Sequence, residues 1–297
     1  MTERPHEMSW ALGSGEGIIG TGNWRTFPKE RLPELFETAA RWRTEFAGIE
    51  KPWLCWCLDD EWCFLQQRLV TAAGWTPVVG TDGRVARPSL LPGSVFVDFN
   101  REFQFPTMWM HFPLEFQFLF CRRLAFWHSD VLPPLAVMNE IARWFDRIED
   151  GQYMGVMANP GFRHFITRPL RGKPYYKRWF EVLGCTTEGA SRSQFEHGCG
   201  WWRNIQLHPN ANPEISRRQP YHEHGVGLWY WQKYCGGNAV ELPIPIEPHH
   251  YTTHKATYKR SRSATNKLLD SKQAELRRSF DLVQIERSLG LAEQQTR

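Results

Sequence analysis

The stretch of sequence that decides the fold is RLAFWHSDVLPP, residues 123–134. Its apolar run at 124–127 predicts a buried strand, because consecutive large apolar residues leave no side of the strand for solvent. The two prolines at its end favour the first turn of a helix, where a missing backbone N–H is tolerated. Apolar residues then recur at helical spacing up to Gly151, and a second apolar run follows at 153–157. A strand, a helix and another strand in succession indicate a parallel α/β unit.

The segments on both sides continue this alternation. Upstream, the sequence predicts helices at 33–46 and 62–73, strands at 52–58, 76–79 and 95–98, and helical structure at 113–123. Downstream, it predicts a helix at 226–234, a strand at 239–242, and irregular loops between about 160 and 220. This order favours the α/β class, with a mostly parallel mixed sheet in a single Rossmann-like domain.

Length and composition fit such a domain. A chain of 297 residues, 41% hydrophobic and 23% charged, can form one large α/β domain or two smaller ones. It has no run of about 18 uncharged apolar residues, its N-terminus has no apolar segment, and its seven cysteines form no CxxC pair. These features predict a soluble cytoplasmic protein that contacts no membrane and has no disulfide framework.

Aromatic and basic residues are distributed unusually. The chain contains 15 Trp, and the adjacent Trp201 and Trp202 suit either stacking on a sugar or base, or filling the core. The segment 255–278 carries eight Lys and Arg residues against Asp270 and Glu275. A basic helical tail at 255–297 is therefore predicted, which is either a solvated helix or a polyanion-binding surface.

Candidate metal ligands follow the strand at 124–127. His128 and Asp130 stand at its carboxyl end, the edge where open α/β sheets bind ligands. An imidazole and a carboxylate at this spacing can face one divalent cation, which in turn can neutralise a diphosphate leaving group. The alternative is structural, because Asp130 could instead cap the helix that is predicted to begin at Pro133.

The segment 123–134 resembles the strand, DxD motif and helix of GT-A glycosyltransferases, with His128 where the first Asp usually stands. The segment 222–225, the helix after it and the strand that contains Glu241 are similar to that family's second acidic motif, helix and closing strand. Histidines follow in the region where many members place a last metal or diphosphate ligand. The resemblance covers about residues 50–254.

This resemblance implies a metal-dependent transferase that moves a sugar from a nucleotide-sugar donor, most simply a UDP-sugar, with Mn²⁺ or Mg²⁺ as cofactor. It implies one catalytic domain at 1–254, with a nucleotide-sugar half at about 50–157 and an acceptor half at about 158–254. If the enzyme inverts the anomeric configuration, the acidic residue of the second motif is the catalytic base. The implied site residues are His128, Asp130, His250 and His254 for the metal; Asp59, Asp60, Asp98, Arg123 and Ser129 for the nucleotide sugar; Trp201, Trp202, Arg203 and His224 for the acceptor; and Glu223 or Glu196 for catalysis.

The basic tail and the Trp pair favour a polyanionic acceptor. The most specific acceptor of this kind is a hydroxymethylated DNA base, such as phage glucosyltransferases modify. If the chain is encoded by a phage, it is expected in the host cytoplasm.

Two other classes of protein remain open. An Fe(II)/2-oxoglutarate oxygenase could use His128 and Asp130 with the distal His208, and Arg217 and Arg218 could hold the cosubstrate carboxylate. That fold is a jelly roll of short strands, however, and the long helix predicted after Pro133 favours the transferase. A non-catalytic nucleic-acid-binding module explains the tail and the Trp content but not the His-Ser-Asp segment.

Overall fold

Most strands and helices form where apolar runs and helical periodicity predict them. The computed structural model describes residues 32–81, 87–99, 110–158, 178–201, 212, 214–215, 225–251 and 277–291. In these parts of the chain, no helix is long and apolar enough to cross a membrane. The elements in chain order are α1 (Leu32–Glu45), β1 (Pro52–Trp56), α2 (Asp60–Ala72), β2 (Thr76–Thr81), β3 (Val95–Asp98), α3 (His111–Glu115), a 3₁₀ turn (Gln117–Leu119), β4 (Arg123–Trp127), α4 (Leu135–Asp146), β5 (Gln152–Ala158), β6 (Arg178–Thr187), α5 (Glu188–Glu196), α6 (Val226–Tyr234), β7 (Asn238–Glu241), a 3₁₀ turn (Glu247–His249) and α7 (Leu282–Ser288).

The seven described strands belong to one sheet, in the order β3-β2-β1-β4-β6-β5-β7. Strand β6 is antiparallel to both of its neighbours, and the other pairs are parallel. The prediction of an α/β fold with a mostly parallel mixed sheet is therefore confirmed. The strand order reverses at β1, because the chain passes outward through β2 and β3 and returns to β4 on the other side of β1. The carboxyl ends of β1 and β4 thus adjoin at the place where open α/β sheets bind ligands.

Helices cover both faces of the sheet, which explains why the strands read as continuous apolar runs. Helices α2 and α4 pack on one face against Trp53, Cys55 and Trp127. Helices α1, α5 and α6 contribute to the core on the other face, with Leu54 and Phe126. Successive strand residues point to opposite faces, so a strand that is covered on both sides needs apolar residues at consecutive positions.

The prediction of irregular structure between 160 and 220 is wrong for the part that forms β6 and α5. Strand β6 contains two charged residues, but Arg178 donates to the Glu181 carboxylate over 3.1 Å, so the two charges compensate each other. Its glycine is required by packing, since a Cβ at Gly184 would lie 2.8 Å from a ring atom of Phe126. In the sequence, a glycine between charged and polar residues is typical of a loop, which is why this strand was not predicted.

The helical prediction for 113–123 is wrong in its second half. Helix α3 ends at Glu115, a 3₁₀ turn follows, and β4 begins at Arg123, inside the range predicted to be helical. Phe116, Phe118 and Phe120 are all buried. A spacing of two residues does not place three side chains on one face of an α-helix.

The described C-terminal segment, residues 277–291, packs on the sheet face that α2 and α4 cover. The backbone N–H of Leu135 donates to the carbonyl of Leu289 over 2.8 Å, at the start of α4. The Arg68 guanidinium on α2 pairs with the carboxylate of Glu286. This end of the predicted tail is therefore part of the domain, and the rest of the tail lies outside the described residues.

Candidate metal centre

A tight turn at the end of β4 presents the His-Ser-Asp segment. The N–H of His128 donates to the Val182 carbonyl of β6 over 2.9 Å, and the N–H of Val131 donates to the His128 carbonyl over 3.1 Å. The side-chain amide of Gln66 on α2 donates to the carbonyls of His128 and Val131, at 2.7 and 3.1 Å. Because Gln66 is fully buried, solvent does not compete for these bonds, and the turn is held from two neighbouring elements.

The segment after β7 brings His250 to the same place. Val131 and His250 form an isolated antiparallel bridge. The N–H of Tyr251 donates to the carbonyl of Asp130 over 3.0 Å. Backbone pairing between segments that are far apart in the sequence therefore sets His250 opposite Asp130.

His128, Asp130 and His250 form a cluster, which we call the His-Asp-His cluster, in which one potential ligand atom of each residue lies within 4.8 Å of the others. The Nε2 of His250 lies 3.1 Å from Oδ1 of Asp130 and 3.4 Å from Nδ1 of His128. Metal–ligand bonds of about 2.0–2.2 Å place neighbouring ligand atoms about 3.0–3.5 Å apart. Two imidazoles and one carboxylate suit a divalent ion such as Mn²⁺ or Fe²⁺. The residues therefore fit one cation, with coordination positions left for other ligands.

The surroundings hold two of these side chains in the protonation states that bind metal. Burial raises the pKa of the Asp130 carboxyl, but the hydrogen bond from His250 and the nearby positive charge of Arg277 outweigh it, so this pKa lies well below its usual range. Burial, assisted by His250, lowers the pKa of His128 to about 3. At neutral pH, Asp130 is an anion and His128 is a neutral imidazole.

The structure excludes one of the two interpretations of Asp130, the capping of α4. Helix α4 begins at Leu135 with Pro134 in the N-cap position, and no side chain of the described residues caps it. Asp130 is instead 5% exposed, and its carboxylate contacts His250. Its contacts exclude the capping role and favour the role of a metal ligand.

An arginine that the sequence does not single out lies against the His-Asp-His cluster. The Nη2 of Arg277 donates to the Ser129 hydroxyl over 2.5 Å, and both residues are buried. The hydrogen bond therefore places the guanidinium beside the turn that carries two of the candidate ligands. In the sequence, Arg277 is one of eight basic residues in the predicted tail, and no local signal separates it from the exposed Arg278.

A cleft of about 270 Å³ opens beside this arginine. The ring of Trp62 contacts that of Phe280 edge-on at 5.7 Å, and Phe280 contacts Tyr251, next to His250, at 5.2 Å. The cleft therefore lies beside the carboxyl end of β1, and Arg277, which bonds to Ser129, stands between it and the His-Asp-His cluster, none of whose residues lines it. Its lining consists of Asp59, Glu61, Trp62, Arg277, Arg278, Phe280, Asp281, Leu282 and Val283.

The three aspartates predicted to contact a nucleotide sugar occupy different positions. Asp59 lines the cleft, where its Oδ1 also accepts the N–H of Trp62 over 3.2 Å and caps α2. The two oxygens of Asp60 accept the N–H and the hydroxyl of Ser89, each over 2.6 Å. Asp98 ends β3 at the edge of the sheet, two strands from β1. The structure brings Asp59, but neither Asp60 nor Asp98, to the lining of the cleft.

The structure corrects the placement of Arg123. This residue begins β4, whereas His128 follows its end. A five-residue strand spans about 16 Å, so the two lie at opposite edges of the sheet. The Arg123 guanidinium donates to the carbonyls of Phe145 and Ile148, at 3.3 and 3.0 Å, and satisfies carbonyls at the end of α4. It is not positioned to bind the nucleotide sugar.

The structure also corrects the role of Trp201 and moves Glu196 away from the cluster. Trp201 is 1% exposed and packs edge-on against Phe126 at 5.3 Å and Tyr153 at 5.8 Å. It fills the core and has no free face for an acceptor. Glu196 is an exposed residue at the end of α5, a helix that packs on the sheet face opposite α2 and α4.

Five predicted site residues and three residues of the oxygenase alternative lie outside the described residues. They are Trp202, Arg203, Glu223, His224 and His254, and His208, Arg217 and Arg218. No protein-family model matches the chain, and no curated protein matches it. Fold and site geometry therefore carry the functional argument.

Proposed function

We propose that the protein is a divalent-metal-dependent glycosyltransferase of the GT-A type that uses a nucleotide-sugar donor. The observation that carries the proposal is the His-Asp-His cluster at the carboxyl end of β4, beside the point at which the strand order reverses. This is where open α/β sheets bind nucleotides. The mostly parallel sheet, mixed by the single antiparallel strand β6, is of the kind that the resemblance implies.

Each residue of the site has a task in this proposal. A divalent cation, when bound, neutralises charge on the diphosphate leaving group. His128, Asp130 and His250 would hold it, and the imidazole ligands favour Mn²⁺ over Mg²⁺. The cleft beside Trp62 would receive the nucleoside of a UDP-sugar. If the anomeric configuration is inverted, Glu223 takes the proton of the acceptor hydroxyl.

The first experiment is a panel of nucleotide sugars incubated with the full chain and Mn²⁺, with slow hydrolysis of the donor as the readout. We expect hydrolysis of at least one UDP-sugar that stops when a chelator is added and returns when Mn²⁺ is restored. The Asp146→Asn variant, which loses a surface carboxylate that is paired with Lys51, should hydrolyse the donor like the unaltered chain. Hydrolysis that is absent with every donor, or unaffected by the chelator, contradicts the proposal.

The second candidate is an Fe(II)/2-oxoglutarate oxygenase. The observation in its favour is the donor set, since two His and one carboxylate form the facial triad of such enzymes. His250 then replaces His208 as the third ligand. The sheet argues against it, because the described strands form a mostly parallel sheet and not a jelly roll. Fe(II)-dependent conversion of 2-oxoglutarate to succinate is the measurement that would select this candidate over the transferase.

The acceptor that we propose is DNA with a hydroxymethylated base, because the basic residues between 252 and 276 suit binding to phosphates. Replacing four of them by Gln should flatten the dependence of log affinity on log salt, by about 0.9 for each duplex phosphate that the protein no longer neutralises. The test is duplex binding across a salt series. Truncation is unsuitable, because residues 277–291 pack on the core. The residues to replace are Lys255, Lys259, Arg260 and Arg262.

A matched control for this experiment replaces by Gln four exposed arginines that lie on the described helices or at their ends. They are Arg143, Arg147, Arg192 and Arg287. If the chain binds no duplex at low salt, or if both quadruple variants change the slope equally, the segment has no specific role and the DNA acceptor is to be abandoned.

A further inference from the structure

Arg277 is buried and forms no direct ion pair with a carboxylate of the described residues, although its charge acts on the nearby Asp130. Arg277 is 3% exposed, and its single hydrogen bond among the described residues goes from Nη2 to the Ser129 hydroxyl. Its Nε is buried and has no partner in the described parts of the chain. A guanidinium carries five donors and a permanent charge, and burying it is unfavourable unless it is paired. The arrangement points to an anion that is bound when the site is in use.

The charges around the guanidinium indicate the charge of that anion. Asp130 supplies one negative charge, and the neighbouring Arg178 is neutralised by Glu181 at 3.1 Å. A divalent cation at the His-Asp-His cluster adds two positive charges to that of Arg277, so positive charge is in excess at the cluster itself, whereas the cleft beyond Arg277 is lined by the carboxylates of Asp59, Glu61 and Asp281. An anion with two or more charges compensates the excess at the cluster best, and arginine binds the oxygens of such groups through paired N–H donors.

The position of Arg277 relative to the cluster selects a bridging ligand. Ser129, its hydrogen-bond partner, stands between the two ligand candidates of the β4 turn. The cleft of about 270 Å³ begins at the guanidinium, and Phe280, Leu282 and Val283 supply the apolar part of its lining. A ligand whose anionic end reaches both the cation and Arg277 can thus extend an aromatic or apolar part along the cleft.

The segment that carries Arg277 is anchored well enough to hold the side chain in place. Ile285 and Leu289 are buried in the core that α2 and α4 share. The carbonyl of Leu289 accepts the N–H of Leu135, and Asp281 caps α7. These contacts fix the segment to the first turn of α4, immediately after the β4 turn.

We infer that Arg277 is a phosphate-binding residue of the donor site, which holds the diphosphate of a nucleotide donor together with the cation at the His-Asp-His cluster. The inference rests on the proposed function for the identity of the donor. It makes the segment 277–291 part of the active site, although the sequence places it in a basic tail beyond the catalytic domain. A carboxylate cosubstrate such as 2-oxoglutarate is the competing occupant.

The test is calorimetric titration of the full chain, loaded with Mn²⁺, with inorganic pyrophosphate, UDP and 2-oxoglutarate. Charge-assisted hydrogen bonds contribute about 1.5–3 kcal/mol, so Arg277→Gln should weaken pyrophosphate and UDP binding by about 10- to 100-fold. Arg277→Lys retains the positive charge but lacks the planar set of guanidinium donors, so it should lose less affinity for pyrophosphate and UDP. Arg287→Gln is the matched control, because Arg287 is an exposed residue of the same segment and lies outside the cleft.

The outcomes separate this inference from the proposed function. Unchanged affinity for pyrophosphate and UDP in both Arg277 variants overturns the inference and leaves the metal-dependent transferase standing. Binding of 2-oxoglutarate that needs Arg277 and exceeds that of pyrophosphate also overturns it. Arg277-dependent binding of pyrophosphate by a protein that takes up no Mn²⁺ supports the phosphate-binding role of Arg277 but overturns the shared cation, both in the inference and in the proposed function. Thermal denaturation of each variant checks folding. If Arg277→Gln does not fold, the test rests on the affinity of Arg277→Lys for pyrophosphate and UDP, compared with that of the unaltered protein.

Discussion

Replacing Asp130 by asparagine should lower the affinity for Mn²⁺ by about 100-fold or more. Substitution of a residue that merely orients a metal ligand typically weakens binding by about 10- to 100-fold, and removal of a ligand should weaken it at least as much. Asparagine retains the shape of the side chain but lacks the negative charge, which is the only one in the His-Asp-His cluster. The measurement is titration of the chelator-treated full chain with Mn²⁺ by calorimetry.

Two controls make this experiment decisive. Asp146→Asn removes a carboxylate that is paired with Lys51 at the protein surface, and it should leave Mn²⁺ affinity unchanged. Glu196→Gln should also leave it unchanged, because this residue lies outside the cluster. If Asp130→Asn binds Mn²⁺ as tightly as the unaltered protein and remains folded, the three residues do not form a metal centre.

The part of the fold that the sequence predicts best is the unit from β4 to β5. Its signals are local: an apolar run, two prolines and a closing glycine specify one strand end and one helix start. Because the polarity of the strand is then known, the same pattern places His128 and Asp130 at the ligand-binding edge of the sheet. The strand ends at Trp127 as predicted, whereas α4 begins at Leu135, two residues after the predicted start at Pro133, and ends at Asp146, before the closing glycine.

The residues that complete the site depend on contacts between distant segments. The sequence offers several histidines after Pro248, but only the bridge between Val131 and His250 decides which one faces Asp130. Arg277 is selected in the same way, by the packing of a segment that no local pattern links to β4. Hydrophobic periodicity reports which side of an element is buried and carries no information on its partner.

Charged and aromatic residues are harder to place from sequence for a related physical reason. A residue type can serve several roles, and its surroundings decide among them. Arg123 satisfies backbone carbonyls at the wrong edge of the sheet for a nucleotide ligand. Trp201, which is equally suited to stacking on a base, lies in the core instead. The position of a side chain along its strand or within the fold is therefore needed before its chemistry can be assigned.

Replacing Trp201 by alanine should destabilise the protein by about 3–5 kcal/mol, the typical loss for a fully buried Trp or Phe. The indole is 1% exposed and contacts Phe126 and Tyr153 edge-on. Its backbone N–H donates to the buried carboxylate of Glu115 over 2.8 Å, so repacking around the cavity is restrained. The measurement is the free energy of unfolding in a denaturant titration.

Trp144→Ala is the matched control, because this indole is only partly buried and carries the guanidinium of Arg147 over its ring at 5.3 Å. It should lose clearly less stability than the Trp201 variant, because removing a partly exposed side chain leaves little or no cavity in the core. A folded Trp201→Ala protein that loses less than about 1 kcal/mol but no longer binds its acceptor would restore the stacking role. We expect the opposite outcome, because the indole is 1% exposed and packs on the sheet face against Phe126 of β4 and Tyr153 of β5.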